Sequence, residues 1–271
     1  MKREIRIAKK LAVYVFFLLH EIRYIHYKIR CRTSFYLMIN SIDFSTWDEL
    51  LKRYVDDFGR VDYRRWKAEG ADVLSNWVRT LADVDLTAVT DADARLALWL
   101  NAYNAIAISQ VIEVYPIASI RPKILGIPNW LGFLEFFTRS NSIIGRKKYS
   151  LNQIEHAILR PEFAEPRIHF ALVCASVGCP LLRRSAYFPE SVRTQLETDA
   201  NSFIKNPDKV RYDAGKKTLY LSKIFEWYGE DFVKKAGSVT AYVGGYLGPE
   251  VGVSDEWAIV FLPYDWNLNQ V

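Results

Sequence analysis

Residues 91–114 read DADARLALWLNAYNAIAISQVIEV and stop just short of Pro116. Asp91 is a good amino-terminal helix cap, because its carboxylate can accept a free backbone N–H. The residue before a proline is pushed out of helical conformation, so the helix ends near Val114. Between these signals the chain is apolar on every side: Leu96, Leu98, Trp99, Leu100, Ile106, Ile108, Val111 and Ile112. A helix hydrophobic all round is a buried one. Asn101 and Asn104 interrupt it, three apart and so on one face. A buried amide must find partners. These two either pin neighbouring loops by hydrogen bonds or line a pocket.

A deep core around this helix suits the composition. The chain has 271 residues, 50% hydrophobic and 14% aromatic, with eight tryptophans. That length fits one large domain, or a domain with an appendage. Outward from the central helix, the signals predict a helix capped by Ser45, starting at Thr46 with an apolar stripe and ended by Gly59, and a second at 71–81. Residues 117–142, rich in Pro, Gly and aromatics, read as a long packed loop with a short helix at 133–137. Ile143, Ile144, Lys148 and Tyr149 flank Gly145 as a hairpin. Ser150 and Gln153 form a capping box. The helix they open has Leu151, Ile154 and Ile158 on its core stripe, with Asn152, Glu155, His156 and Leu159 on another face. Residues 167–174 read as a short central strand. Residues 189–206 form an amphipathic helix, 210–212 and 218–221 a hairpin, and 238–247 a helix. Ser222 caps another helix leading to Trp227, and 257–262 is a last strand. The expected fold is α+β: a helix-rich single domain over 42–270 around a small, mainly antiparallel sheet.

The formal charge of +5 is unevenly placed. Residues 1–40 hold nine Lys/Arg and two Glu, whereas the other 231 residues hold 27 Lys/Arg against 29 Asp/Glu. A nucleic-acid footprint needs a concentrated basic face, and the nearly neutral body offers none. Residues 1–41 are a basic and apolar extension, basic to Lys10 and apolar over 11–19. Three readings of this extension stand: a membrane-surface or export segment over 1–30, a helical appendage on the body, or an over-long reading frame with initiation at Met38. No 18-residue apolar run exists, so a standard spanning helix is not expected. The cytoplasm is the expected compartment, with membrane association or export through 1–30 as the alternative.

The body holds few chemically reactive groups: Cys174, Cys179, His156 and His169. Cys179-Pro180 after Gly178 reads as a turn out of the strand with a thiol at a helix cap, Pro180 being suited to the first helical position. A thiol facing free N–H groups at a helix amino end has a depressed pKa. Cys179 is therefore the candidate nucleophile, His156 or His169 the candidate base, and Asp265 or Asn101 the group that orients the imidazole. Cys174, Glu155, Asn101 and Asn104 are the candidate pocket-lining residues. Each has a plainer reading: core cysteines, a satisfied core histidine, a turn-forming aspartate. Cys174 and Cys179 could also pair as a disulfide. A zinc site from the two cysteines and two histidines is opposed by strand parity, which would point His169 and Cys174 to opposite faces. No metal or cofactor is called for, and no glycine-rich phosphate loop, HExxH or GxSxG motif is present.

Five separated blocks, WLNAYN (99–104), SLNQIEH (150–156), RIHFALVCASVGCP (167–180), LSKIFEWY (221–228) and LPYDWNLN (262–269), resemble the domain of unknown function 547 family. The resemblance spans about residues 44–269. It names a domain that occurs alone or fused to glutaredoxin-like or coiled-coil regions, and it carries over no catalytic assignment. Two functional expectations follow from the residues themselves. One is a thiol-dependent hydrolase or acyl transferase acting on a small molecule or peptide, with papain-like and transglutaminase-like domains as a fold analogy only. The other is a non-catalytic binding or scaffold module whose motif residues form a buried hydrogen-bond network.

Overall fold

Asp91 caps the central helix as its sequence predicts: its carboxylate accepts the Ala94 N–H at 2.7 Å, and the helix runs Ala92–Val114 to an extended Tyr115. The computed structural model describes residues 42–121, 123–124 and 127–271. The expectations for residues 1–41 lie outside the described residues. Asp43–Val271 is one compact unit. Leu96 through Ile108 are all buried, Asn101 and Asn104 among them.

Helices Tyr63–Glu69 and Ala71–Thr80 pack against this rod, and Ser45–Tyr54 packs on both of them. Their aromatic rings hold them to one another: Trp47 stacks on Trp77 and Tyr54 on Trp66, with centroids 5.7 and 5.0 Å apart. Helices Val192–Ile204, Gly229–Ala236 and Val239–Leu247 enclose a second cluster built on Phe170, Phe203, Phe225, Phe232 and Tyr242. Against it lies a three-stranded sheet. Val210–Asp213 pairs antiparallel with Thr218–Leu221, which pairs parallel with Ala258–Phe261. Two small antiparallel hairpins complete the strands: Lys123–Ile124 with Ile127–Pro128, and Ser142–Ile144 with Lys147–Tyr149. The fold is thus helix-rich α+β with small, mainly antiparallel sheets. No helix among the described residues is long and apolar enough to cross a membrane.

Two expected elements are absent, and both bear on the site. Residues 167–174 are not a strand. Pro166–Phe170 is a 3-10 helix, followed by irregular chain to Cys174. The backbone here has no strand neighbour because the Asn104 amide takes its place: Nδ2 donates to the Ala171 carbonyl and Oδ1 accepts from Val173 N–H, each at 2.9 Å. A buried backbone must be paired, and a side chain serves as well as a strand. Residues 180–190, expected to begin a helix, are irregular for the same reason. Ala186 N–H goes to Asp48, Tyr187 N–H to Asn101 and Phe188 N–H to Gln195. Helices Tyr63–Glu69 and Gly229–Ala236 were not legible as separate elements.

Candidate functional site

The capping box at Ser150 forms as expected, each side chain meeting the other's backbone N–H. The helix then widens into a π segment, Ile154–Leu159, before continuing as Arg160–Phe163. Such π turns shift every later side chain around the axis and are frequent at functional sites. Here Glu155 turns inward to 6% exposure and His156 outward, and Leu159 replaces Ile158 on the buried side.

His169 sits on the 3-10 helix, 3% exposed. Its ring stacks on Tyr228 at 3.8 Å and 18°. Nε2 lies 2.8 Å from Asp231 Oδ2. The hydrogen bond from His169 holds the Asp231 carboxyl well below the usual carboxylate range, and Arg160 adds to this with two bonds of 2.7 and 3.0 Å. Asp231 is therefore an acceptor only, so His169 Nε2 donates to it. Nδ1 is buried with no hydrogen-bond partner, 3.9 Å from Glu155 Oε1. The same guanidinium donates to His156 Nδ1 at 3.0 Å, so Arg160 ties both histidines to one carboxylate. Glu155 accepts from the Tyr103 hydroxyl at 3.4 Å. Burial, then the Glu155 charge, pushes the Tyr103 hydroxyl far up.

Cys174 and Cys179 are joined as a disulfide, with Cα atoms 6.3 Å apart. Cys179 is buried in a turn, not at a helix cap, and its N–H goes to the Ser176 carbonyl. Three donors reach its sulfur: Cys174 N–H at 3.0 Å, the Tyr264 hydroxyl at 3.2 Å and the Ser176 hydroxyl at 3.4 Å. Burial pushes the Tyr264 hydroxyl up, so it stays a donor. The turn's left-handed residue is Ala175, φ 66°, whereas Gly178 lies outside the positive-φ region. Gly178 is needed for space: a Cβ there would lie 2.6 Å from the Tyr264 ring.

Both sulfurs, both imidazoles and Glu155 line one cavity of about 440 Å³. Its walls are largely aromatic, with Phe133, Phe137, Trp227, Tyr228, Tyr264 and Trp266. Three sequence-predicted residues are elsewhere. Asn101 and Asn104 do not line it. They are loop clamps, Asn101 holding the Tyr187 peptide as Asn104 holds 171–173, because amides on a core helix satisfy buried backbone first. Asp265 is exposed and forms a turn, its carboxylate accepting Asn267 N–H at 2.9 Å and its carbonyl accepting Gly178 N–H at 2.8 Å. The carboxylate that orients an imidazole is Asp231, on a helix the periodicity did not reveal. Its one sequence signal is adjacency to Phe232, a fully buried residue. The premises of the papain analogy, a helix-borne thiol and a strand-borne histidine, are not met. Among the described residues no group of three or more His, Cys, Asp or Glu is placed to hold a metal ion.

No curated protein and no solved structure matches the chain. Residues 87–204 match the family model described as Protein of unknown function, DUF547. That stretch includes the central helix, the π segment, His169 and the disulfide turn, and it stops before Asp231 and Tyr264. Over residues 87–204, less than half of its length, the chain is similar to the domain of unknown function 547 family, whose description names no reaction.

Proposed function

We propose that the cavity is the active site of a thiol-dependent hydrolase or acyl transferase, working from the reduced state of the Cys174–Cys179 pair. The observation that carries this is the set of three donors on the Cys179 sulfur, in a cavity shared with an imidazole held by a carboxylate. Hydrogen bonds to the charged form favour it, so these donors depress the Cys179 pKa once the disulfide is opened. A thiol reductant opens the pair first, giving two protein thiols and its own disulfide. The Cys179 thiolate then attacks an acyl carbonyl. A C–S bond forms, and the bond to the leaving group breaks. The leaving group takes the proton that His169 Nδ1 received from the Cys179 thiol. Water or a second nucleophile displaces the thiolate in turn, with His169 Nδ1 accepting its proton. Asp231 and Arg160 keep that ring in one tautomer and orientation. The substrate is a small molecule or peptide side group with an apolar body, matched to the aromatic walls.

Iodoacetamide labelling of the reduced protein across pH, mapped by mass spectrometry, tests the thiol. Cys179 is expected to alkylate at pH 6 at least ten times faster than free cysteine, and Cys179→Ala to lose both this and any aryl-ester acylation burst. If neither reduced thiol outpaces free cysteine, the enzyme reading fails. The buried asparagine clamps favour a second reading, a binding module whose motif residues are structural. It expects slow alkylation at both thiols and a lowered melting temperature in Cys179→Ser.

A further inference from the structure

We infer that this cavity takes up a small thiol with an apolar body, whose sulfur joins Cys174 as a mixed disulfide and expels Cys179 as the leaving thiolate. The inference rests on reading the cavity as a thiol site and deepens it, naming the sulfur that is attacked and the class of ligand that opens the pair.

The two sulfurs are not equivalent. An incoming thiolate chooses between them by access and by how well the other sulfur leaves. Access favours Cys174, which is partly exposed and lines the cavity, whereas Cys179 is 4% exposed. Leaving ability favours Cys179. The Cys174 N–H donates to the Cys179 sulfur at 3.0 Å, a bond fixed by the backbone. The Tyr264 hydroxyl lies nearer Cys179 than Cys174, at 3.2 against 3.6 Å. The Ser176 hydroxyl does not discriminate, reaching Cys179 at 3.4 Å and Cys174 at 3.3 Å. Donors already in place stabilise the charge that develops on a departing sulfur. Both criteria select attack at Cys174.

No further reagent is needed. The ligand thiolate forms an S–S bond to Cys174, the Cys174–Cys179 bond breaks, and its electron pair stays on Cys179. A second ligand thiolate attacks the ligand sulfur of the mixed disulfide, releasing the ligand's own disulfide and the Cys174 thiolate. Two ligand thiols are oxidised to one disulfide, the protein pair is reduced, and the two thiol protons end on Cys174 and Cys179.

The walls select the body of the ligand. Tyr264, whose hydroxyl touches the pair, packs its ring against Trp266 and Trp227 with centroids 4.4 and 4.8 Å away. Trp227 is still 46% exposed, so apolar surface beside the sulfurs is left uncovered. Among the described lining residues Glu155 is the only carboxylate and none is lysine or arginine, so a ligand carboxylate finds no cation there. A volume of about 440 Å³ accommodates an aryl-alkyl thiol.

The test offers the oxidised full chain one equivalent of 2-phenylethanethiol, 2-mercaptoethanol or glutathione, with rates expressed per thiolate. Samples are quenched in acid at successive times, alkylated with N-ethylmaleimide and mapped by fragment mass spectrometry. The phenyl thiol is expected to open the pair at least about tenfold faster than the other two, from burial of its ring. Its adduct is expected on Cys174 and the maleimide on Cys179. Tyr264→Phe removes a donor from the leaving sulfur and is expected to slow all three thiols alike, by about tenfold. If that variant does not fold, the ranking and the map on the native protein decide. An adduct on Cys179, no adduct on Cys174 at any quench time, or equal rates for the three thiolates overturns the inference. A Cys174 adduct with the phenyl preference, but a sluggish Cys179 after full reduction by a phosphine, would sink the acyl-transfer reading alone. A reactive Cys179 after phosphine reduction, without the phenyl preference, would sink only this one.

Discussion

Asn104→Ala removes both ends of the bridge that holds residues 171–173 against the central helix. The lost bonds are Nδ2 to the Ala171 carbonyl and Val173 N–H to Oδ1, both at 2.9 Å, and Asn104 is 3% exposed. The substitution leaves one buried acceptor and one buried donor without partners. Each costs about 1–3 kcal/mol, so two give about 2–6 kcal/mol before relaxation. Local shifts and entering water reduce this, and about 3 kcal/mol is expected. For a domain of this size, 1 kcal/mol moves Tm by about 2–4 °C. A fall of about 6–12 °C follows. Thermal melts by circular dichroism, with urea titrations for the free energy, measure it. Asn152→Ala, at an exposed position on another helix, is the control and is expected to change Tm by less than about 2 °C. Because Val173 precedes Cys174, Asn104→Ala is also expected to speed hydrogen exchange over 171–175. A variant within 2 °C of the native Tm would refute the clamp: the segment would then be held by its own packing, with the amide incidental.

Reduction of Cys174–Cys179 opens a loop closed at a sequence separation of 5. Loop entropy alone gives about 2 kcal/mol for so short a loop, so the reduced protein stays folded with Tm lower by about 4–8 °C; unfolding on reduction would contradict this. Gly178→Ala forces the Tyr264 ring away from a Cβ that would sit 2.6 Å from it, costing about 1–3 kcal/mol and slowing alkylation of reduced Cys179 by removing a donor from its sulfur. An unchanged Tm with unchanged alkylation would show that the ring yields freely. Burial pulls the Lys209 amine down to about 8, and its Nζ donates to the Val177 carbonyl at 2.6 Å. Between about pH 8 and 10.5 the unfolded chain then binds more protons at this group than the folded one, so its contribution to stability rises with pH. Urea titrations should show native stability gaining about 2 kcal/mol on Lys209→Met between pH 7.5 and 10; a pH-independent difference would refute the shift.

Elements that close their own hydrogen bonds within a few residues were legible. The central helix shows its cap, its stop and its burial in twenty-four letters. The Ser150 box, the 210–221 hairpin and the Ser238 helix behave likewise. Residues 167–174 misled because an apolar run of strand length also describes a buried irregular segment, and Asn104, 69 residues from Val173, is what satisfies it. The site was half legible. Scarcity alone singled out His156, His169, Cys174 and Cys179, and all four line one cavity with Glu155. Asp231 was missed because its meeting with His169 spans 62 residues. No spacing rule reaches that far.

Sequence by itself determined the buried rod, the class of fold and the few side chains able to do chemistry, because caps, periodicity and composition are local or additive properties. Tertiary structure alone decided that Asp231 and not Asp265 meets an imidazole, that both sulfurs share a bond, and that Glu155 lies 3.9 Å from Nδ1 of His169. These are distances between groups far apart in the chain. They are set by how the helices pack, and packing depends on every side chain at once.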